Sequence, residues 1–166
     1  AAQDVSVSKH ASIRQQTLVL LNPPLDPFAA YFSIYREARG EPRPKHLYWL
    51  ATGVDSIVVT GVDEHTLRLR PTRGFLASSS QRMLRSAASG FERDQEVRLE
   101  DCSIRVEELT LDRRPQAILV RFRSNLDDRA LAFMTWQGPG YVAFVPPAPG
   151  QSVVIPRVDL WKALFG

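Results

Sequence analysis

Adjacent acidic residues are the side chains of this sequence that are best suited to chemistry, and they occur as four pairs. One carboxyl group of such a pair can serve as a general acid or base when burial raises its pKa. All four pairs fall where the sequence predicts turns, strand ends or a β-bulge, and carboxylates at such positions are normally solvated. We therefore interpret them as surface residues and predict no catalytic residue. The pairs are Asp63-Glu64, Glu100-Asp101, Glu107-Glu108 and Asp127-Asp128.

The histidines and the cysteine do not suggest a metal or nucleophilic site. His10, His46 and His65 are far apart in the sequence, and no two of them have the spacing of metal ligands. Cys102, the only cysteine, begins a predicted strand, where a lone cysteine is more often a small buried apolar residue. The GxSxG, HExxH, Walker and GxGxxG signatures are missing from the sequence. The sequence thus predicts no metal site and no cofactor.

The charge distribution argues against a nucleic-acid partner. The 166 residues include 21 Lys or Arg and 18 Asp or Glu, and the resulting net charge of +3 is spread along the chain. Nucleic-acid-binding domains instead concentrate positive charge on one surface. Leucines alternate with arginines over residues 66–70, so Arg68 and Arg70 should share the solvent face of a strand. Nucleic-acid binding would require these two arginines to share a surface with Arg121 and Arg123.

Aromatic residues could supply a protein-binding surface, because their rings provide a large contact area at low entropic cost. Tyr48 and Trp49 are adjacent in a predicted strand, so their side chains point to opposite faces and one of them should lie outside. We combine the tryptophans and a nearby tyrosine with the two alternating arginines as a candidate interaction surface. Its residues are Trp49, Trp136, Tyr141, Trp161, Arg68 and Arg70.

One helix is predicted in the N-terminal half of the chain, at about residues 27–39. Asp26 is a suitable N-cap, Pro27 suits the first helical position, and Gly40 follows the last apolar residue. The apolar residues recur at helical spacing, and we expect this stripe to face the core. It consists of Phe28, Tyr31, Phe32, Tyr35 and Ala38.

The rest of the chain predicts short strands rather than alternating strands and helices. The turn Asp112-Arg113-Arg114-Pro115 predicts a hairpin, and a change in apolar parity predicts a bulge near Glu107-Glu108. This pattern favours a mainly β fold, either an antiparallel β-sandwich or a partly open barrel. We expect a single domain over residues 1–166, with a flexible arm at 1–15, a short helical turn at 81–85 and a C-terminal tail at 156–166. The predicted strands are 17–21, 46–52, 55–62, 66–70, 95–99, 102–111, 116–123, 131–136, 141–145 and 153–155.

A series of short, turn-rich motifs runs through residues 17–155. They are Gly40-Glu41-Pro42-Arg43-Pro44, residues 63–70, Gly74-Phe75-Leu76, Met83-Leu84-Arg85, Asp112-Arg113-Arg114-Pro115, Val120-Arg121-Phe122, Asn125-Leu126-Asp127-Asp128 and Pro146-Pro147-Ala148-Pro149-Gly150. Their order resembles the soluble tail domain that follows the transmembrane helices in many uncharacterised bacterial polytopic membrane proteins. The resemblance implies an extracytoplasmic domain, in the periplasm or on the cell surface. It provides no catalytic residues, because no activity is established for that group.

These observations lead to a functional expectation. The chain begins at Ala1 without an initiator methionine, so we expect a processed protein or part of a longer one. Its apolar stretches are far shorter than the roughly 20 residues that span a bilayer, so we expect any membrane anchor to lie outside this sequence. We expect a non-catalytic interaction or structural module whose partner is another protein or the remainder of its own membrane-bound chain. The alternative is an enzyme whose site is built from arginines and paired carboxylates.

Overall fold

A computed structural model of the chain describes residues 11–24, 26–53, 55–77, 90–138 and 140–159. These residues form a short 3-10 helix (Ala11–Gln15), one α-helix, α1 (Asp26–Ala38), and ten strands. The prediction of a mainly β chain with one helix in the N-terminal half is therefore confirmed. The helical turn predicted at 81–85 lies outside the described residues. The strands are β1 (Thr17–Leu21), β2 (His46–Leu50), β3 (Ile57–Gly61), β4 (Thr66–Pro71), β5 (Glu96–Arg98), β6 (Cys102–Leu109), β7 (Pro115–Phe122), β8 (Leu131–Gln137), β9 (Gly140–Ala143) and β10 (Ser152–Ile155).

The chain folds into two compact units, each assembled from separate stretches of sequence. Unit 1 comprises the described parts of residues 1–53, 127–145 and 157–166, and unit 2 comprises those of 54–126 and 146–156. Each unit has one sheet. The single domain over 1–166 stays a prediction.

The sheet of unit 1 has four strands in the order β2-β1-β8-β9. All five residues of β1 are buried, and this strand pairs in parallel with both β2 and β8. A strand that is apolar on both faces suits such a central, parallel position. Only β8 and β9 pair antiparallel in this sheet, as a tight hairpin. The predicted antiparallel pairing therefore applies to this hairpin and to unit 2, while the sheet of unit 1 is mixed.

Helix α1 contributes Phe32 to the core of unit 1, and among the described side chains its buried face differs from the predicted stripe. Phe32 and Arg36, one turn apart, are buried, whereas Tyr31 is 63% exposed and Ala38 is also exposed. The prediction that Tyr31 and Ala38 face the core is wrong. The buried face centres instead on Phe32, and the side chain one turn further along happens to be an arginine. The core cluster consists of Leu18, Leu20, Phe32, Met134, Trp136 and Tyr141.

The buried Arg36 fastens the end of the helix to the segment that follows it. Its Nε donates a hydrogen bond to the carbonyl oxygen of Pro42 (2.9 Å), and its Nη1 lies 3.6 Å from a carboxylate oxygen of Glu41. The guanidinium also lies 5.7 Å from the ring centre of Phe32, within the range of a cation–π contact. In return, the backbone N–H of Glu41 donates to the carbonyl oxygen of Arg36 (2.9 Å). These contacts hold the Pro-containing connector against the helix end.

The two ends of the described chain also pack on unit 1. Ile13, in the 3-10 helix, is buried, so the described part of the arm predicted at 1–15 is packed, and residues 1–10 lie outside the described residues. Val158, in the tail predicted at 156–166, packs against the core cluster.

The sheet of unit 2 has six strands in the order β10-β3-β4-β7-β6-β5, and every pairing is antiparallel. The hairpin predicted around residues 112–115 connects β6 and β7. The register of this pair shifts between Val106 and Glu108 and again between Glu108 and Leu109, which confirms the predicted bulge. Side chains alternate between the two faces of the sheet, and those on one face, such as Val59, Leu69 and Val120, are fully buried.

Candidate functional site

The opposite face of this six-stranded sheet carries Arg68 and Arg70 together with one of the four acidic pairs, Glu107-Glu108. One row of directly paired residues runs across all six strands on this face: Ser152, Thr60, Arg68, Leu119, Arg105 and Glu96. Alternation along each strand adds further charged residues to the same side. We call this surface the charged face and define it by Arg68, Arg70, Arg105, Glu107, Glu108 and Arg121.

The arginines of β4 are bound to the paired glutamates of the β6 bulge. Arg68 makes a bidentate ion pair with Glu107, with its Nε and Nη2 at 2.6 and 2.5 Å from the two carboxylate oxygens. Arg70 Nη1 lies 2.7 Å from Glu108 Oε1. Because β7 lies between β4 and β6, both ion pairs reach across it. Ala117, which pairs with Glu108 on this face, is completely buried and leaves room for the side chains above it.

The electrostatics of these pairs favour the charged states. The hydrogen bond from Arg68 lowers the pKa of Glu107 below its ordinary value, against the opposing effect of burial. The same bond raises the pKa of the Arg68 guanidinium. A general acid at neutral pH requires the opposite shift of a carboxyl pKa. Glu107 is therefore suited to hold Arg68 and unsuited to deliver a proton.

We expect the Arg68–Glu107 pair to contribute about 1 kcal/mol to stability in a double-mutant cycle, because it is bidentate and partly buried. The more exposed pair of Arg98 and Glu96 (3.2 Å), with Arg98 83% exposed, serves as the control and should show almost no coupling. Urea unfolding of the single and double alanine variants measures the coupling energy of each pair. The pKa of Glu107 is lower in the folded state than its ordinary value of 4.5. The contribution of the ion pair to stability is therefore fully present above pH 4.5 and is lost as the pH falls through the lowered folded-state pKa. Equal coupling in the two pairs would contradict this expectation.

The other arginines of the charged face also lie near carboxylates. Arg121 Nη1 is 3.7 Å from Asp63, whose pKa is lowered mainly by a hydrogen bond from the backbone N–H of His65 (2.8 Å). Arg105 Nη1 is 3.8 Å from Asp94. Each of the four arginines that define the charged face thus lies near a carboxylate. A nucleic-acid surface would instead present the unmatched cations that neutralise phosphates.

The histidines and the cysteine are placed in settings that do not suggest catalysis. His46, in unit 1, stacks on Tyr48 with ring centres 6.1 Å apart and planes at 5°. His65 belongs to unit 2, and His10 lies outside the described residues. Cys102 is buried, and burial raises the pKa of its thiol to about 11, so that the thiol is protonated at neutral pH. A protonated, buried thiol is a poor nucleophile.

The aromatic residues of the candidate surface occupy different environments. Trp49, on the outermost strand β2, is 42% exposed and is available for contacts. Trp136 and Tyr141 are each only 4% exposed, so their assignment to a surface is corrected: both belong to the core of unit 1. Trp161 lies outside the described residues. Of the six candidates, Arg68 and Arg70 share the charged face of unit 2, and Trp49 belongs to unit 1.

Cross-strand pairing explains why Trp136 and Tyr141 are buried together. They are directly opposite in the β8–β9 hairpin, and their rings meet edge to face with centres 4.9 Å apart. Trp136 Nε1 donates to the carbonyl oxygen of Gly138 (3.0 Å). The turn around residues 138–140 was visible in the sequence, and pairing the residues symmetrically about it would have placed both rings on one face.

Tyr141 also carries a polar atom into the core. Its hydroxyl oxygen has no hydrogen-bond partner among the described residues, and burial raises the pKa of the hydroxyl well above its usual range. We expect Tyr141→Phe to leave the free energy of unfolding unchanged or to raise it by up to about 1 kcal/mol, because the variant no longer buries this group. Tyr141→Ala should cost about 3–5 kcal/mol. Urea titrations followed by tryptophan fluorescence test this, and a loss of more than about 1 kcal/mol in the phenylalanine variant would show that the hydroxyl is satisfied.

Metal-binding groups and membrane-spanning helices are absent from the described residues. In the part of the chain that the structure describes, no three or more His, Cys, Asp or Glu side chains are grouped so that they could hold a metal ion. Helices within the same residues are too short or too polar to cross a membrane. No family model, curated protein or solved structure matches the chain.

Proposed function

We propose that this chain is a non-catalytic interaction module, and that it is an extracytoplasmic domain of a larger, membrane-associated bacterial protein. The observation that carries the interaction role is the pairing of charges on the sheet of unit 2. Arg68 and Arg70 are committed to Glu107 and Glu108, so these side chains stabilise the sheet instead of facing a substrate. Exposed apolar side chains and backbone groups are then the means by which this unit can recognise a partner.

Support for the location comes from the motifs that resemble bacterial membrane-protein tail domains. These include Gly40-Glu41-Pro42-Arg43-Pro44, which the structure places against helix α1, and Asp112-Arg113-Arg114-Pro115, which forms the β6–β7 turn. The partner proposed for this module is another protein or the remainder of the same membrane-bound chain.

The alternative of an enzyme built from arginines and paired carboxylates receives less support. It requires convergent acidic groups with raised pKa values. The resolved shifts on Asp63 and Glu107, which belong to two of the four acidic pairs, are downward, and both side chains lie near arginines. Carboxylates held in this way remain ionised.

The full-length gene product in its native cell tests the proposal. Membrane and soluble fractions are separated after protease, or a membrane-impermeant cross-linker, has been added outside the cytoplasmic membrane. Membrane retention, cleavage of this domain and a discrete cross-linked adduct are expected. A soluble product that is protected from protease would overturn the proposed location. A cleaved domain that is cross-linked neither to another protein nor to the remainder of its own chain would overturn the interaction role.

A further inference from the structure

We propose that strand β10 is a docking edge to which an extended, apolar segment of a partner polypeptide adds as a seventh strand of the unit 2 sheet. This inference rests on the proposed interaction role and names its site. Strand β10 is the terminal strand of the sheet, next to β3 and with no further strand beyond it among the described residues. A free edge of this kind is a known route for polypeptide recognition through main-chain hydrogen bonds.

The hydrogen-bond register shows which backbone groups of β10 point outward. The N–H of Gly61 donates to the carbonyl oxygen of Gln151 (3.0 Å), directly opposite it in the β3–β10 ladder. In an antiparallel ladder such bonded pairs recur at every second residue. Val153 and Ile155 therefore bond to β3, and Ser152 and Val154 direct their N–H and C=O groups away from the sheet.

The β3–β4 pairing supports this assignment independently. The N–H of Thr72 donates to the carbonyl oxygen of Ser56 (2.9 Å). Bonded positions recur at every second residue, so the backbone N–H and C=O groups of Val58 and Thr60 face β4. Those of Ile57, Val59 and Gly61 must then face β10. The two sides of β3 thus agree on one register.

Contacts at both ends hold the edge in place before any partner arrives. At one end, Ser152 Oγ lies 2.7 Å from Thr60 Oγ1, and the N–H of Gly150 donates to the carbonyl oxygen of Gly61 (2.8 Å). At the other end, Ile155 is buried against the sheet. An edge that is already ordered spares the partner most of the entropic cost of ordering it.

The side chains of β10 define the chemistry of the partner. Val153 and Val154 point to opposite faces and are 42% and 61% exposed, and the four residues of the strand carry no charge. The opposite edge, β5, instead carries Glu96 and Arg98, as is common for edges protected from pairing. A segment with apolar side chains on both faces would cover the two valines. Pro156 has no N–H to offer, so the ladder is limited to about four residues.

A random-peptide library displayed on phage and panned on the whole chain provides the probe. Val154→Pro removes the outward N–H at position 154 without touching the bonds to β3, and Val154→Lys charges the edge while keeping the backbone intact. Arg98→Pro, on the opposite edge strand β5, is the matched control. The N–H of Leu99 donates to the carbonyl oxygen of Cys102 on β6, so the N–H of the preceding residue, Arg98, points away from the sheet. Circular dichroism verifies that each variant is folded.

Enriched peptides should have alternating β-branched or aromatic residues and should bind the Val154 variants at least about tenfold more weakly than the unaltered chain. Their affinity for Arg98→Pro should be unchanged. N-methylation of the peptide amides that face β10 should abolish binding. Failure to enrich peptides, or equal binding to both Val154 variants and the unaltered chain, would overturn the docking edge. Self-association that disappears in Val154→Lys would assign the edge to a second copy of the chain and overturn the proposed partner.

The two proposals fail in different ways. If the cross-linked adduct in native cells persists in a chain carrying Val154→Lys, the interaction role stands and the β10 edge is overturned. If both the adduct and peptide binding are lost in that variant, the edge is supported. If peptides bind β10 but no adduct forms in cells, the edge is supported and the proposed function is overturned.

Discussion

Arg36→Ala is expected to lower the free energy of unfolding of unit 1 by about 3–5 kcal/mol, because it removes one partner of a buried ionic contact. The Arg36 side chain is fully buried, and it reaches Glu41, Pro42 and the ring of Phe32 from the last turn of α1. Its loss leaves the Glu41 carboxylate, only 13% exposed, without this guanidinium. Tryptophan fluorescence during urea unfolding reports the change, since Trp49 and Trp136 both belong to unit 1.

Arg39 provides the matched control on the same helix. It lies 3.6 Å from the same glutamate but is half exposed, so Arg39→Ala should cost no more than about 1 kcal/mol. Replacing both partners, as Arg36→Met with Glu41→Met, should recover much of the loss because no buried charge is left alone. If Arg36→Ala and Arg39→Ala were equally mild, burial would not be the source of the effect.

Gly61→Ala is expected to be the most disruptive small substitution in unit 2, with a cost of several kcal/mol. A Cβ at this position would overlap the carbonyl oxygen of Pro147 and lie 2.5 Å from that of Ala148. Backbone atoms cannot move aside as a flexible side chain can, so the segment before β10 must shift. Amide hydrogen exchange should then show faster exchange at Val153 and Ile155, which bond to β3.

Gly150→Ala separates this steric effect from backbone strain in the same segment. Gly150 has φ of +81° and open space around the position of a Cβ. Its substitution should therefore cost only the roughly 1 kcal/mol of a left-handed conformation. Faster exchange of β10 in Gly150→Ala but not in Gly61→Ala would contradict the packing argument.

Local patterns in the sequence were sufficient to place the strands. The alternation of leucine and arginine indicated which face of β4 is exposed to solvent. A change in the alternation of apolar and polar residues at Glu107-Glu108 indicated the bulge. Both signals arise from the two-residue period of a strand, which acts over a few neighbouring residues. The hairpin between β6 and β7 was predictable for the same reason.

Contacts between distant segments could not be predicted in this way. Periodicity shows that β1 is buried but not that it pairs in parallel with β2 and β8, because its neighbours depend on the path of the whole chain. The partners of Arg68 and Arg70 depend on β6 lying two strands from β4, with β7 between them. The burial of Arg36 depends on a carbonyl group supplied by Pro42, outside the helical pattern.

The connectivity of unit 1 has a consequence for biosynthesis. Strand β1 is synthesised more than a hundred residues before its partner β8, and nearly all of unit 2 is made between them. Antiparallel neighbours such as β3 with β4 and β6 with β7 can pair as soon as they emerge, because their loops are short. Until β8 arrives, the apolar segment Thr17-Leu18-Val19-Leu20-Leu21 has an unfilled side and is prone to aggregation. A nascent-chain chaperone that shields this segment should therefore raise the yield of folded protein more than one that acts after release.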